Sequence, residues 1–329
     1  MSRRVFILGA GFSASAGLPL AKRLSQCCLQ ELQAREQYAH KGLLSVMAQL
    51  FPGTSWARQD LPDMETFLDM LSAHEDLLDK DQKLFDFKRI RIWSTMGLCF
   101  SLLPTIGSWD TSAIENFVKR LRRGDTVLTF NWDLLLEKAL YGYHNAESIF
   151  YCPQDYDEAI SAQKITFIKL HGSLDWLNLK DGFQPASDPE AQNAWEKVSP
   201  QILKSKNFVE FTSATVQVPA FIIPPTSRKT YDHEDVRDFW RTGLKAILES
   251  SEIWIIGYRF PEADLHARAL VRFGVFNNRS GQEVKVNFIS PDENAYENLC
   301  TKIIPGFASI YHRVPFEKHT FAQPETQKT

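Results

Sequence analysis

Short apolar runs alternate with segments of helical periodicity over most of the 329-residue chain. The first run covers residues 3–8 and leads directly into a glycine-rich turn. Later apolar runs of strand length lie at residues 126–130, 165–170, 219–223, 253–256 and 284–289. Continuous runs of this kind are typical of strands buried on both faces of a parallel sheet. The pattern therefore predicts an α/β fold with a doubly wound, mostly parallel, Rossmann-like sheet.

Helical periodicity fills the interval between the first two predicted strands. Apolar residues recur at three- and four-residue steps in residues 61–71 and again in 85–103. Pro62 lies just inside the first of these segments, where proline favours a helix start. We therefore predict a helical insertion over about residues 20–123. Further helices are predicted over residues 134–141 and 235–249, and over a segment that ends near 275.

Residues 1–321 are expected to form a single domain. Within it, residues of about 179–218 are polar and are predicted to form a looped excursion, and residues 322–329 to form a disordered tail. The apolar run at the N-terminus is too short for a secretory signal. No later apolar segment reaches the roughly 20 residues that span a bilayer. We expect a soluble, cytoplasmic protein without a membrane partner.

Charge and cysteine usage narrow the choice of ligand. A formal net charge of −3 gives no electrostatic reason to expect direct nucleic-acid binding. The cysteines form no C-x-x-C pair, so neither a zinc ribbon nor a disulfide framework is expected. Their odd number fits a reducing cytosol. The five are Cys27, Cys28, Cys99, Cys152 and Cys300.

The turn after the first strand, GAGFSASAGLP over residues 9–19, has the layout of a phosphate-binding strand–turn–helix unit. Gly9 can take a positive φ, and Gly11 has no Cβ to keep a pyrophosphate away from the backbone. Ser13 adds a hydroxyl donor. A tight packing turn between strand and helix is the alternative. The strand that a dehydrogenase places about 20 residues later is missing, since residues 19–32 have helical spacing, so hydride transfer is disfavoured.

Polar or glycine residues stand where the predicted strands end. Ligands of doubly wound sheets bind outside the carboxyl ends of the strands, so these residues are candidates for one shared site. Each also has a structural alternative: a helix cap, a turn histidine held by backbone, or a packing turn. Beyond the glycine loop the candidates are Asn131, Asp133, His171, Gly257, Tyr258, Ser290 and Asp292.

Five motifs occur in a fixed order: GAGFSASAGLP, TFNWD, KLHGSLDW, IIPP and WIIGYRFPEAD. From residue 3 to about 292 they resemble the sirtuin-like NAD-hydrolysing domains of bacterial antiphage defence proteins, in their short stand-alone form. The resemblance implies a sirtuin-type sheet, NAD⁺ as the substrate and no metal. Arg259 stands where this family more often has a small polar residue.

The resemblance also implies roles for individual residues. Asn131 and His171 correspond to the catalytic pair, and Asp133 to the acidic position that faces the nicotinamide carboxamide. The phosphate and ribose loop corresponds to Gly9, Ala10, Gly11 and Ser13, and Gly17 of the same motif is also assigned to cofactor binding. The adenosine half corresponds to Gly257, Tyr258, Ser290 and Asp292.

Two departures separate the chain from the deacetylase branch of this superfamily. The loop proline, Pro19, is not followed by Asp-Phe-Arg, and there are no candidate ligands for a four-cysteine zinc module. We therefore expect an NAD⁺ glycohydrolase that depletes NAD⁺ in abortive infection. Its activity would be controlled by homo-oligomerisation or by a separately encoded partner such as a DNA-translocating ATPase. The alternatives are a catalytically silent module that binds NAD⁺ or ADP-ribose, and a sirtuin-type protein deacylase or ADP-ribosyltransferase.

Overall fold

Seven strands of the computed structural model form one sheet in which every pairing is parallel. The structure describes residues 3–54, 60–77, 85–102, 109–145, 148–151, 162–177, 220–222, 234–281 and 283–321. The strands along the chain are β1 (Arg4–Leu8), β2 (Thr126–Thr129), β3 (Ile149–Tyr151), β4 (Ile165–Lys169), β5 (Gly172–Leu177), β6 (Ala220–Ile222), β7 (Glu252–Ile256), β8 (Lys285–Ile289) and β9 (Ser309–His312). In the large sheet their order is β3-β4-β2-β1-β7-β8-β9. The predicted parallel α/β sheet is confirmed.

The order of the strands reverses between β1 and β7. From β1 the chain proceeds to β2 on one side of the sheet, and later returns to β7 on the other. The register keeps the strand ends level: Leu8 pairs with Thr129 and with Ile256. Thr129 in turn pairs with Lys169, and Ile256 with Ile289. The residues that follow these five strands therefore share one rim, which is where such sheets bind their ligands.

Helices cover both faces of the sheet. Between β1 and β2 lie α1 (Ala10–Ala14), α2 (Ala21–Arg35), α3 (Gln37–Leu50), α4 (Met64–Leu77), α5 (Phe87–Leu102) and α6 (Ser112–Val118). The later helices are α7 (Leu135–Tyr143), α8 (Glu234–Glu249), α9 (Leu265–Phe276) and α10 (Glu293–Asn298). A π-helical turn, Leu299–Ile303, continues α10, and a short 3₁₀ turn covers Phe316–Lys318.

The two faces of β1 belong to two separate hydrophobic cores. Phe6 and Leu8 pack into the core formed with the helices between β1 and β2, together with α7. Val5 and Ile7 pack into the core formed with α8, α9 and α10. Successive side chains of a strand point to opposite faces, so a strand covered on both sides needs an uninterrupted apolar run. This explains why the sequence pattern predicted the central strands correctly.

One predicted strand lies elsewhere than expected. In the run 219–223, β6 pairs antiparallel with β5 in a separate two-stranded sheet, and so does not belong to the large sheet. An apolar run of this length does not reveal its pairing partner. The strands β3, β5 and β9 were not predicted. The expected loop over 179–218, the tail over 322–329, and Cys152 lie outside the described residues.

The described residues contain neither a membrane-spanning helix nor a cluster of metal-binding side chains. Within the described ranges no helix is long and apolar enough to cross a membrane. In the same part of the chain, no group of three or more His, Cys, Asp or Glu side chains could hold a metal ion.

Candidate functional site

The glycine turn after β1 is in direct backbone contact with the turn after β7. The Gly9 amide donates to the Ile256 carbonyl at 3.0 Å, and the Gly11 amide donates to the Gly257 carbonyl at 2.9 Å. A Cβ on Gly11 would lie 2.8 Å from the Gly257 Cα, and one on Gly257 would lie 2.5 Å from the Gly11 carbonyl carbon. Both positions therefore require glycine.

This contact shows how the loop uses its glycines. Gly9 has φ −116°, so it does not use the positive φ that glycine permits. The positive values belong to Gly17, at φ +101°, and to Gly257, at φ +62°. The absent Cβ of Gly11 makes room for Gly257 rather than for a ligand. The alternative of a packing turn thus describes the side of the loop that faces Gly257, whereas Ala10 is exposed.

Asn131 lies directly against the glycine loop. Its Nδ2 donates to the Gly9 carbonyl at 3.0 Å and to the Ser13 Oγ at 2.9 Å. Its backbone amide donates to the Thr129 Oγ1 at 3.1 Å, which fixes the turn at the end of β2. Asn131 is therefore brought into contact with two predicted site residues of the distant glycine loop, because β1 and β2 end at the same level of the sheet.

A buried ion pair holds the segment that follows Asn131. The Lys169 Nζ donates to the Trp132 carbonyl at 3.2 Å, the Asp133 carbonyl at 2.6 Å and the Glu137 Oε1 at 2.6 Å. The side chains of Lys169 and Glu137 are 0% and 1% exposed. Sequence reasoning missed both residues. The signal was a lysine inside the apolar run of β4, since a buried charge requires a partner.

Asp133 caps the helix that begins after the Asn131 turn. It is buried, and its Oδ1 accepts from the Leu135 amide at 3.1 Å, at the start of α7. This is the capping role that the sequence left open as an alternative. Its contact with a nicotinamide carboxamide stays a prediction.

His171 lies at the end of β4 among aromatic rings. Its ring centroid is 4.9 Å from that of Phe130 and 5.9 Å from that of Trp240. Its Nε2 is 3.5 Å from the Oδ2 of Asp264, a carboxylate that also accepts a hydrogen bond from the Tyr258 hydroxyl. The His171 side chain is 4% exposed. Direct contact with a dinucleotide would therefore require some of the surrounding side chains to move.

Tyr258 joins the histidine to the glycine loop. Its ring stacks on Phe130 with centroids 4.4 Å apart and an interplanar angle of 16°. A Cβ on Gly9 would lie 2.5 Å from the Tyr258 Cδ2, so the two residues are closely packed. Phe130, Tyr258 and His171 thus form one buried cluster directly beside Asn131. Neither Phe130 nor Asp264 was predicted as a site residue, although Asp264 is the last residue of the WIIGYRFPEAD motif.

The ends of β7 and β8 are joined by an ion pair. The Arg259 Nη2 lies 2.7 Å from the Asp292 Oδ2. Asp292 also caps α10, because its Oδ1 accepts from the Asn294 amide at 3.2 Å and the Ala295 amide at 3.4 Å. The Ser290 Oγ accepts from the Asp292 amide at 3.1 Å. Asp292 therefore has the capping role foreseen as an alternative, whereas Ser290 holds the turn before the helix, and the contact of both residues with an adenosine stays a prediction.

The inner side of the glycine loop rests on an aromatic cluster. The ring of Phe12 lies 5.2 Å from that of Phe117 in α6 and 4.5 Å from that of Phe316. Phe316 belongs to residues 315–321, a segment we call the strap. The Arg120 Nη1 donates to the Phe321 carbonyl at 2.5 Å and fixes the far part of the strap. The strap therefore supports the loop through the ring of Phe12.

Two histidines lie where the strap meets the sheet. The ring of His319 is 4.7 Å from that of His312 and 5.7 Å from that of Trp254. Burial lowers the pKa of His319 to about 4, and the neighbouring His312 and Arg120 add to the effect. Burial also lowers the pKa of His312. The folded protein therefore disfavours protonation of this pair.

Comparison with known proteins gives only distant likenesses. No protein-family model matches the chain, and no curated protein matches it. Among solved structures, one from a study of the mechanism and regulation of Sir2 enzymes has a TM-score of 0.43 at 10% identity, over 96% of this chain and 89% of that chain. A triple mutant of a Sir2 homologue with 2′-O-acetyl ADP-ribose has a TM-score of 0.43 at 14% identity, over 96% and 87%. Sir2Tm bound to a propionylated peptide has a TM-score of 0.41 at 11% identity, over 95% and 88%.

Proposed function

We propose that this chain is an NAD⁺ glycohydrolase that releases nicotinamide and ADP-ribose. The observation that carries the proposal is the contact of Asn131 with Gly9 and Ser13. It unites the TFNWD motif with the glycine loop at the rim where doubly wound sheets bind nucleotides. The resemblance of the five motifs to sirtuin-like defence domains supplies the substrate class.

The chemistry requires orientation more than strong acid catalysis. Cleavage breaks the bond between C1′ of the ribose and the pyridinium nitrogen, and the bonding electrons neutralise the leaving nicotinamide. Positive charge develops on the ribose, and a water molecule then forms the new C1′–O bond. The Asn131 amide can donate and accept, so it can hold the ribose and the water together. The water proton passes to His171, if the imidazole is neutral, and from there to solvent.

The contacts within the site also support a resting state that is closed to substrate. The Asn131 amide group makes hydrogen bonds to both Gly9 and Ser13, and His171 is buried. Substrate must therefore exchange these internal contacts for its own. An NAD⁺-depleting enzyme would harm its host if it were always active, so a closed resting state has a purpose. We propose that homo-oligomerisation or a partner such as a DNA-translocating ATPase opens the site during phage infection.

The purified chain should be incubated with NAD⁺, alone and with the product of the neighbouring gene, and the products identified by chromatography and mass analysis. Equal amounts of nicotinamide and ADP-ribose are expected, with a higher rate when the partner is present. Nicotinamide release that depends on an added protein acceptor would instead indicate a deacylase or ADP-ribosyltransferase.

A second candidate is a silent module that binds NAD⁺ or ADP-ribose for a larger complex. The burial of His171 favours it, because a pure sensor has no need to expose a base. Calorimetric titration with ADP-ribose separates the outcomes. Binding without cleavage in every assembly tested would establish the sensor, and absence of both binding and cleavage would refute both candidates.

A further inference from the structure

A buried carboxylate stands directly behind the proposed base. Asp264 is 1% exposed, and its Oδ2 lies 3.5 Å from the His171 Nε2. The same oxygen accepts from the Tyr258 hydroxyl, and the Oδ1 accepts from the Ala267 amide at 3.4 Å, at the start of α9. Two of the groups that approach this carboxylate flank it in the sequence, whereas His171 comes from the distant end of β4.

The chemistry of a carboxylate decides which histidine nitrogen carries the hydrogen. An ionised carboxylate can only accept hydrogen bonds, and a buried one is stable only when donors surround it. The Tyr258 hydroxyl and the Ala267 amide are such donors. The Nε2 that faces the same carboxylate at 3.5 Å can act as a third donor only if the hydrogen of the neutral imidazole is on Nε2. The lone pair is then on Nδ1.

The surroundings of the ring limit its other orientations. Phe130 lies 4.9 Å from the imidazole at an interplanar angle of 54°, and Trp240 lies 5.9 Å away at 39°. The Trp240 Nε1 donates to the Leu170 carbonyl at 3.1 Å, which fixes the indole beside the end of β4. A rotation of the imidazole about χ2, which would put Cε1 in place of Nε2 beside the carboxylate, would have to pass these rings.

We propose that Asp264 is a positioning residue for His171, holding the imidazole as the Nε2–H tautomer so that Nδ1 is the proton acceptor. The consequence for catalysis rests on the proposed function, whereas the tautomer itself does not. Tyr258 ties the carboxylate to the turn that contacts the glycine loop. The same set of contacts therefore aligns the base with the loop that Asn131 contacts.

A purely structural role as the cap of α9 makes different predictions. Asparagine caps helices about as well as aspartate, so Asp264→Asn should retain α9 and the fold. Asparagine can present either an oxygen or an NH₂ group to Nε2, so it no longer specifies the tautomer. The control is Asp63→Asn, which alters the carboxylate that accepts from the Thr66 amide at 2.8 Å at the start of α4, remote in sequence from His171.

The test records the ring ¹⁵N resonances of histidine-labelled protein at a pH where the imidazole is neutral, with His171→Gln to assign the signals. Wild type and Asp63→Asn should show the His171 hydrogen on Nε2, and Asp264→Asn should show a mixture or the other tautomer. Melting temperatures of all variants are measured in parallel. A wild-type spectrum with a bare Nε2, or an Asp264→Asn spectrum identical to wild type, would overturn the proposal.

Kinetics supply the second readout. Asp264→Asn is expected to lower kcat for nicotinamide release by about tenfold or more with little change in KM, because a base without its orienting partner acts only part of the time. An unchanged kcat in a variant whose tautomer has shifted would also overturn the proposal. If wild type cleaves no NAD⁺, the proposed function fails, and the ¹⁵N spectra still decide the role of Asp264.

Discussion

Lys169 shows how one side chain in the interior can determine the geometry of a site at the surface. Its ammonium group sits among two backbone carbonyls and the Glu137 carboxylate, all supplied by the segment that follows Asn131. Removing one partner of such a pair leaves an uncompensated buried charge, whereas removing both does not. The pair therefore links the stability of the protein to the position of the Asn131 turn.

We predict that Lys169→Met lowers the free energy of unfolding by about 3–5 kcal/mol, because Glu137 is left buried without a counter-charge. The double variant Lys169→Met/Glu137→Leu should recover part of this loss, as measured by urea denaturation. It should not recover NAD⁺ cleavage, since the carbonyls of Trp132 and Asp133 still lack their donor. A double variant as unstable as the single one would contradict this account.

The limits of sequence prediction are also clearest at single residues. The contact of Asn131 with the glycine loop followed from strand order, because polar residues at the ends of adjacent parallel strands meet. The burial of His171 did not follow, since a histidine before a glycine carries no signal of the direction of its ring. The sign of the Gly9 φ did not follow either, because glycine accepts both signs and only the packed partner decides.

At the scale of elements, the turns after β1 and β7 act as one unit. Gly11 and Gly257 must each be glycine, because the backbone of one occupies the space that a Cβ on the other would need. The strap supports the same unit from behind through Phe12 and Phe316. The central strands were predictable from their apolar runs, whereas β3 and β9 are short edge strands and β5 and β6 pair with each other. Their pairing depends on partners distant in the sequence, and local periodicity does not contain that information.

Gly257→Ala should be far more destabilising than Gly17→Ala. Both residues have a positive φ, so both variants carry a backbone cost of about 1–2 kcal/mol. A Cβ at residue 257 would additionally lie 2.5 Å from the backbone of the glycine loop, whereas one at residue 17 has nothing within 4 Å. The further loss is about 1–3 kcal/mol by the usual cost of overpacking. Equal urea midpoints for the two variants would show that the two turns are not in contact.

The strap should make stability depend on pH. Because the pKa of His319 in the folded protein is about 4, below the ordinary value of 6.5, its contribution to stability is present above pH 6.5 and is lost as the pH falls toward 4. His319→Gln cannot be protonated, so its melting temperature should fall less than that of wild type between pH 7 and pH 4. His74→Gln, on α4, is the control, and its melting temperature should fall with pH as steeply as that of wild type. An equally steep fall in His319→Gln would contradict the burial of the imidazole.

At the scale of the whole molecule, the candidate residues occupy one rim of one parallel sheet, at the point where its strand order reverses. The glycine loop, Asn131 and the cluster around His171 converge there from β1, β2, β4 and β7. Most of their polar groups are paired internally, which fits an enzyme that is closed at rest and opened by assembly. The register of the strands thus accounts for the convergence of these residues at one rim.

The most direct test of the central claim is the rate of nicotinamide release from NAD⁺ by Asn131→Ala and by His171→Ala, in the assembly where wild type is active. Each variant should lose activity by about 10²-fold or more. Asn277→Ala is the matched control, since that exposed amide group donates to the Phe273 carbonyl at 2.9 Å just after the end of α9, and it should keep the wild-type rate. Cleavage at the wild-type rate by either site variant would contradict a shared role of Asn131 and His171 in one NAD⁺ site.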